Sequence, residues 1–449
     1  MDAIIGKALQ RLPFVGHSSQ RLAVTGLQRA GKTVFVTSLA HALLHAKDAA
    51  ADAFPFFPWR GQLQSVTLEA IPGIAPFPYA ARLAELLGEP PRWPERTTGL
   101  SGLRVRLRYR AKSMLIRRIT PVATLDLDLI DYPGEWLLDL PMLSLSYREW
   151  SMRAEELALS GRRAALSATW RAQVEGLDPD GQEDRFAIAR ISGAYSDYLC
   201  RCQAEGFYYL QPARFIAGSA AQLDSQFFPL GRDGSFRSGS NAAALRRRYE
   251  AYQRCVRRFY NEVFGRLRRQ VVLVDLLTAL QQGHDSFADL ALAVRAIADA
   301  FEELKNPLLK LLPLGRLDRL ALVATKADHV TAGQVNNLVG LLRDMIGEPM
   351  LMVSARQSGL MAIASVRATT QVIRKWQDQP LEFLRGIPLG RAEPVEVRPG
   401  EIPGQVPDSA NWAAFEFNIR DFDPPRLGLP YNRPLPHINL DKVLQFLIA

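Results

Sequence analysis

The sequence predicts an α/β fold, in which helices flank a mostly parallel sheet, together with a helical insertion and a small β-rich C-terminal extension. Three observations support this fold. Short apolar runs alternate with helical patterns up to residue 140 and again from residue 269 onward. The stretch between them, 141–268, contains long segments rich in Ala, Leu and Arg that favour helix. Beyond Trp376 the chain is rich in Pro and Gly, which predicts short β-like pieces and a final helix.

The period of the apolar residues places individual strands and helices. Strands are expected at 21–25, 103–109, 124–130, 270–276, 319–325 and 360–364, and helices at 33–46, 147–166, 242–269, 285–305, 330–346 and 440–448. The stretch 52–95 is rich in Pro, Gly and aromatic residues, and it predicts a long ordered loop. The segments PVEVRPG and FEFNIRDFD predict short β-like pieces in the extension.

The first predicted strand leads into a glycine-rich loop, GLQRAGKT, which fits the pattern GxxxxGK[ST]. Such a loop curves its backbone N–H groups around phosphates at a helix N-terminus. Lys32 is expected on the β- and γ-phosphates, and the hydroxyl of Thr33 on Mg²⁺. The alternative is a chance glycine turn, but the position between a strand and a helix favours a phosphate loop. The expected contacts are Gly26, Arg29, Ala30, Gly31, Lys32, Thr33 and Val34.

A Mg²⁺-nucleotide site also needs a carboxylate at the end of a neighbouring strand. Asp131 ends the strand at 124–130, and DYPG, from Asp131 to Gly134, fits the pattern DxxG. In that pattern the aspartate holds Mg²⁺ through water, and the N–H of Gly134 contacts the γ-phosphate. Asp126 and Asp128, inside the strand, remain alternatives for the metal ligand.

The tetrapeptide TKAD at 325–328 ends a later strand and resembles the [NT]KxD element that recognises guanine. A carboxylate that accepts hydrogen bonds from guanine N1–H and the 2-amino group discriminates against adenine, which has neither donor. Thr325, Lys326 and Asp328 are therefore expected at the base, and GTP is favoured over ATP. The alternative is a loop that only starts the next helix.

Two further site elements are predicted from position in the chain. A switch threonine that completes the Mg²⁺ ligands is expected before the DxxG strand, and Thr97 and Thr98 are equal candidates. A second loop at the base is expected after the following strand, either at Ser354 or at Ser365 and Val366. The better strand pattern before Ser365 favours the latter pair.

Several motifs together resemble one family, the bacterial YcjX-like P-loop GTPases. They are GLxRxGKT at the phosphate loop, IDYPGEW around the DxxG motif, TKADHV at the base motif and PLPHINL at 434–440. The resemblance implies a P-loop NTPase fold of the G-domain type with a helical insertion. It further implies GTP or GDP and Mg²⁺ as cofactors, and a role in bacterial stress response near the inner membrane.

Catalytic residues are expected in the phosphate loop and directly after DxxG; they are Arg29, Lys32, Gln28 and Glu135. Gln28 and Arg29 lie where GTPases of the dynamin and guanylate-binding types place catalytic groups, and Arg29 is similar to the arginine that guanylate-binding proteins bring onto the phosphates in cis. Such an arginine is worth ~10³–10⁵ in rate. Glu135 stands where many GTPases carry a glutamine that orients water. The alternative for Arg29 is a solvated loop cation.

These motifs and composition shifts predict five segments. They are an N-terminal amphipathic segment at 1–20, the first part of a G-domain with a long switch I region at 21–140, the helical insertion at 141–268, the second part of the G-domain at 269–376 and the extension at 377–449. An apolar stripe at Ile4, Ile5, Leu9 and Leu12 predicts a short helix, lying either on a membrane surface or on its own domain.

Composition limits the class of protein. The chain has 449 residues, 48% of them hydrophobic, and no stretch approaches the ~18 apolar residues of a membrane span, which predicts a cytoplasmic globular protein. The excess of 55 Lys and Arg over 46 Asp and Glu gives a net charge of +9, which suits phosphates or an anionic lipid surface. No basic run of five or more occurs, so no nucleic-acid partner is expected. Three cysteines predict no disulfide framework.

The sequence thus predicts a Mg²⁺-dependent GTPase that acts as a switch controlled by its nucleotide. The alternative is a nucleotide-stabilised module with little turnover that acts in membrane-surface binding or as a scaffold, with an anionic lipid surface or an inner-membrane protein as its partner. A P-loop kinase is a third class, and TKAD disfavours it.

Overall fold

The structure is a computed structural model. It describes residues 17–47, 63–95, 99–110, 122–216, 226–231, 236–303, 317–347, 358–376, 379–428 and 431–448. The N-terminal apolar stripe, Thr97, Thr98 and Ser354 lie outside the described residues. The chain divides into two compact units. The first comprises Met1–Pro133, Leu267–Gln281 and Leu317–Ala449, and the second comprises Gly134–Arg266 and Gln282–Arg316.

A seven-stranded sheet lies at the centre of the first unit. Its strands are β1 (His17–Gly26), β2 (Leu63–Glu69), β3 (Ser101–Tyr109), β4 (Ala123–Asp131), β5 (Arg269–Val274), β6 (Arg319–Ala324) and β7 (Ser358–Ala362). They lie in the order β2-β3-β4-β1-β5-β6-β7. The five strands from β4 to β7 in this order are parallel, whereas β2 and β3 add antiparallel at one side. The predicted mostly parallel α/β sheet is confirmed, and the C-terminal ends of its parallel strands share one edge.

The described helices are α1 (Lys32–Leu44), α2 (Tyr79–Leu87), α3 (Tyr147–Leu159), α4 (Arg163–Glu175), α5 (Arg185–Ala204), α6 (Ala213–Ile216), α7 (Asn241–Glu262), α8 (Leu276–Gln282), α9 (His284–Glu303), α10 (Val335–Ile346) and α11 (Leu440–Ile448). In the first unit, α1 and the C-terminal α11 contribute to one apolar cluster with the sheet. Phe35 and Leu39 of α1 and Val443 and Leu447 of α11 are buried there with Leu127 of β4. Burial of such a side chain contributes ~1.5–3 kcal/mol, so the chain terminus is part of the core.

The prediction of a long loop over 52–95 is wrong for its described part. This part contains β2 and α2. Val66 and Leu68 of β2 pack against the core of the sheet, and β2 pairs with β3 along its length. In α2, Leu86 is buried with its neighbours Leu83 and Leu87 packed beside it. The high Pro and Gly content of the flanks hid one alternating strand and one amphipathic helix.

A second, antiparallel sheet of three strands begins before residue 377, so the boundary predicted between the G-domain and the C-terminal extension falls inside it. The three strands are β8 (Thr370–Trp376), β9 (Gln379–Gly386) and β10 (Val395–Val397), in the order β10-β9-β8. The strand in PVEVRPG is confirmed, but FEFNIRDFD, at 415–423, forms no strand. Its backbone groups bond elsewhere: the N–H of Asn418 donates to Pro399 O, and the N–H of Asp423 donates to Ile387 O.

The second unit is helical and has an aromatic core. It contains α3–α7 and α9, and begins with the 3₁₀-helix Gly134–Ser144. Trp150, Trp170 and Tyr249 are among its buried side chains. A buried ion pair joins α4 to α9, with Arg163 Nη2 2.7 Å from Asp289 Oδ1. The structure thus groups α9 with the helical unit, whereas the sequence suggested that this helix belongs to the second part of the G-domain.

Candidate functional site

The phosphate-loop motif joins β1 to α1 at the C-terminal edge of the sheet. Gly26 ends β1 beside Leu273 of β5, and a Cβ at this position would lie 2.5 Å from Leu273 O. Gly31 has φ +77°, a left-handed conformation that favours glycine, and among the described residues no atom beyond its chain neighbours lies within 4 Å of its Cβ position. Glycine is therefore favoured at both positions for steric reasons: Gly26 allows close packing against β5, and Gly31 allows the turn into α1.

Lys32 is oriented into the curve of this loop. Its Nζ donates a hydrogen bond of 2.6 Å to Gly26 O, so the ammonium lies over the loop backbone. The first turn of α1 contains no acidic residue, and its backbone N–H groups carry the positive end of the helix dipole. Lysine and helix terminus together form a positive region suited to phosphate.

Arg29 and Gln28 differ strongly in exposure. Arg29 is exposed and has φ +62°, which is uncommon for a residue with a Cβ. The side chain of Gln28 is buried, as is that of Ala30. Within the loop 26–33, Arg29 is the most exposed residue.

Thr33 and Asp131, the predicted metal ligands, lie on adjacent parts of the first unit. Thr33 is the second residue of α1 and is buried. Asp131 ends β4, is 1% exposed, and lies level with Val24 of β1 in the parallel ladder. The alternatives Asp126 and Asp128 are engaged with arginines of β3 at 2.7 Å each. The structure therefore favours Asp131 over them as the strand-end carboxylate.

Gly134 and Glu135 open the 3₁₀-helix Gly134–Ser144, in the second unit. The chain passes from the first unit to the second directly before Gly134. The role expected of Gly134 comes from the DxxG pattern, and the role expected of Glu135 comes from its position directly after that pattern.

The TKAD motif follows β6 at the same edge of the sheet. Lys326 has φ +59° and starts a 3₁₀ turn, Ala327–His329, that carries Asp328. Asp328 is 4% exposed, and its Oδ2 accepts a hydrogen bond of 2.7 Å from the N–H of Ala368. The hydroxyl of Thr369 donates to Asp328 O. The hydrogen bond from Ala368 thereby fixes the orientation of the carboxylate.

Ser365 and Val366, which are expected at a second base-contacting loop, follow β7 in the chain. Ser365 O accepts a hydrogen bond of 2.6 Å from the hydroxyl of Ser38 in α1, and Val366 is buried. The same loop continues to Ala368, which bonds Asp328. The tail motif at 434–440 runs beside it, since Ile438 pairs with Ala364 in an isolated bridge. Ser365 thus lies on a loop that joins α1 to the base motif.

Two carboxylates at the site were missed from the sequence. Asp275 directly follows β5, and Asp421 belongs to the extension; both lie 2.9 Å from Lys326 Nζ. An acidic residue ending the apolar run QVVLV was a usable signal for Asp275. No local pattern indicates Asp421, because it is 95 residues away from Lys326.

Comparisons with known proteins agree with the motifs. Residues 20–449 match the YcjX-like family, DUF463. The chain is 38% identical to the Ras-like GTPase YcjX of Escherichia coli (strain K12), over 96% of this chain and 95% of that protein. It is 32% identical to the Ras-like GTPase YcjX of Shewanella oneidensis (strain MR-1), over 100% of this chain and 99% of that protein.

Proposed function

The chain belongs to the YcjX-like family, and we propose that it binds GTP with Mg²⁺ and hydrolyses it to GDP, as a switch controlled by the bound nucleotide. The observation that carries the proposal is the convergence of motifs at one sheet edge. The phosphate loop follows β1, Asp131 ends β4, and TKAD follows β6. Two relatives named as Ras-like GTPases support the same class.

The residues present fit a nucleoside triphosphate and a divalent ion. Open space lies around the Cβ position of Gly31, and Lys32 supplies a cation beside the loop backbone. Thr33 and Asp131 would hold Mg²⁺ with phosphate oxygens and waters, which matches the preference of this ion for few protein ligands. When bound, Mg²⁺ neutralises charge on the β- and γ-phosphate oxygens.

Hydrolysis consumes one water and breaks the bond between the γ-phosphorus and the β–γ bridging oxygen, giving GDP and inorganic phosphate. Lys32 and the N–H groups of the loop bind the phosphates and stabilise the negative charge that develops on the bridging oxygen. Arg29, on the same loop, adds positive charge in the transition state. Glu135 or Gln28 orients the attacking water in this proposal.

The base is selected by Asp328, which accepts from guanine N1–H and the 2-amino group. Its orientation by Ala368 supports this role, because a pre-positioned acceptor loses little entropy on binding. The loop of Ser365 and Val366 is proposed as the second contact to the base.

The first test is nucleotide binding by the full chain. We expect GTP to bind at least about 100-fold more tightly than ATP, since adenine leaves Asp328 without donors. Asp328→Asn should weaken GTP binding by ~1–3 kcal/mol, about 5- to 150-fold, and admit xanthosine triphosphate. Lys32→Ala should lose binding itself. Titration with fluorescent nucleotides measures all three.

Two exposed residues provide matched controls: Lys375→Ala and Asp408→Asn should bind GTP as wild type does. Equal affinity for ATP and GTP would contradict the base assignment. Tight GTP binding without phosphate release would favour the alternative, a nucleotide-stabilised module at a membrane surface. A role in stress response near the inner membrane remains part of the proposal that the family resemblance supports.

A further inference from the structure

The ammonium group of Lys326 is enclosed by three acceptors. Its Nζ lies 2.9 Å from Asp275 Oδ2, 2.9 Å from Asp421 Oδ1 and 3.1 Å from Thr278 Oγ1. An ammonium has three N–H donors, so this set uses all of them. Burial alone lowers the pKa of Lys326, but the two carboxylates outweigh it and hold the pKa above the usual value. The lysine of the base motif is therefore a charged side chain held at its tip.

Asp275 and Asp421 hold this tip in different ways. Asp275 is fully buried and fixed by the N–H and the hydroxyl of Thr278, at 3.0 and 2.6 Å. The side chain of Asp421 is 57% exposed. Asp275 is thus built into the end of β5, whereas Asp421 closes the solvent side of the lysine.

Several contacts of the segment 419–423 with other elements hold Asp421 in position. The N–H of Ile419 donates to Gln281 Oε1 at 3.0 Å. Phe422 is 1% exposed, and its carbonyl accepts a hydrogen bond of 2.7 Å from Trp93 Nε1. The ring of Phe422 also contacts the ring of His329 edge to face, and His329 is the residue directly after Asp328. The extension therefore presents Asp421 to the base motif on a held backbone.

We propose that Asp421 is a positioning residue for guanine binding, and that the C-terminal extension through it sets how long the nucleotide stays bound. This inference rests on the proposed function. The backbone of Lys326 lies two residues before Asp328, and its ammonium group is held on both sides. The alkyl stem between them therefore forms a fixed apolar surface for the base. Loss of Asp421 leaves the tip tied to Asp275 and Thr278 only, and the stem gains freedom that binding must remove.

The test measures dissociation of a fluorescent GDP analogue from the full chain after addition of excess GDP. Asp421→Asn should dissociate about 5- to 10-fold faster, because the ion pair with Lys326 is lost and only a hydrogen bond from the ammonium to a neutral amide oxygen can remain. Asp421→Glu, which keeps the charge, should recover part of the wild-type rate. Asp423→Asn is the control, since the Asp423 carboxylate accepts from the N–H of Gly390 instead, and its rate should stay within about 2-fold of wild type.

A purely structural role for Asp421 predicts a different pattern. On the proposal, nucleotide-free Asp421→Asn melts within about 2 °C of wild type, as expected for a half-exposed ion pair. In a Lys326→Met background, Asp421→Asn should have no further effect on dissociation, since the two side chains act as one unit.

An unchanged dissociation rate in Asp421→Asn, additivity with Lys326→Met, or a large loss of apo stability would overturn the inference while leaving GTP binding intact. Wild-type protein that binds no guanine nucleotide would instead contradict the proposed function.

Discussion

Arg29 combines two features that are uncommon in a solvated loop residue. It adopts a left-handed backbone, which costs roughly 1–2 kcal/mol for a residue with a Cβ, and it is exposed at the phosphate loop. Local strain of this kind is often stored where function needs it. Burial raises the pKa of Asp421, but the nearby positive charges outweigh this effect and lower the pKa below its usual value. Lys326 contributes most to the lowering, and Arg29 adds to it. The guanidinium of Arg29 thus lies in electrostatic range of Asp421, the partner of Lys326.

Arg29→Ala is expected to lower kcat by at least about tenfold, ~1.4 kcal/mol, with only a few-fold change in nucleotide affinity. The transition state spreads negative charge over the equatorial and bridging oxygens, so an internal cation stabilises it more than it stabilises bound GTP. Single-turnover hydrolysis and nucleotide titration measure the two effects separately. Arg108→Ala, at an exposed position of β3, is the control. Wild-type turnover in Arg29→Ala would return Arg29 to the solvated-loop alternative and leave Gln28 or Glu135 as candidates.

At the scale of elements, β3 and β4 are joined on one face by ion pairs between buried carboxylates and partly exposed arginines. Asp126 and Asp128 of β4 are 1% and 0% exposed, and they pair with Arg106 and Arg104 directly opposite in the ladder. Hydrogen bonds from Arg106 lower the pKa of Asp126 most, burial opposes them, and His17 adds to the lowering; the result is about 2. The other face of the same strands carries the apolar core, so the role that the structure gives these carboxylates is to stabilise the sheet.

The pH dependence of this ion pair has a definite sign. A carboxylate whose folded pKa lies below its unfolded value of ~3.9 contributes stability that is complete above about pH 5 and lost as the pH falls through the folded pKa. Asp126→Asn should therefore reduce the free energy of unfolding by about 2 kcal/mol at pH 7, and by much less at pH 2. Urea titrations at both pH values measure the difference. Glu69→Gln removes a more exposed partner of Arg106, and it should cost below about 1 kcal/mol. Equal losses at both pH values would exclude the carboxylate as the cause.

Most elements with strong periodicity were predictable from the sequence, and so were the motifs at their ends. The strands that end at or next to Gly26, Asp131 and Thr325 are observed as expected, because each is an apolar run that stops at a glycine or a polar residue. β2 and α2 were missed because Pro and Gly in their flanks outweighed a short alternating pattern. The contact from Asp421 to Lys326 was beyond prediction, since it depends on how a strandless segment packs after the sheet has formed.

At the scale of the whole molecule, the net charge of +9 remains without an assigned partner. No helix in the described part of the chain is long and apolar enough to cross a membrane. Residues 1–16 carry the apolar stripe at Ile4, Ile5, Leu9 and Leu12 beside Lys7 and Arg11. Their formal charge is small, because Asp2 offsets one of the two cations. The stripe and the overall charge can therefore be tested separately.

The full chain is expected to bind vesicles of anionic lipid reversibly at low salt and to be released at about 0.5 M salt, where charges are screened within a few ångströms. A single short interfacial helix contributes modestly to such binding, so deletion of residues 1–16 should weaken it several-fold while leaving GTP affinity unchanged. Sedimentation with anionic and neutral vesicles, with and without the deletion, measures both contributions. Retained binding after deletion would assign attachment to the basic surface alone. Absence of binding to anionic vesicles at low salt would remove the membrane from the proposed partners, and the excess of arginine would then need another acidic partner.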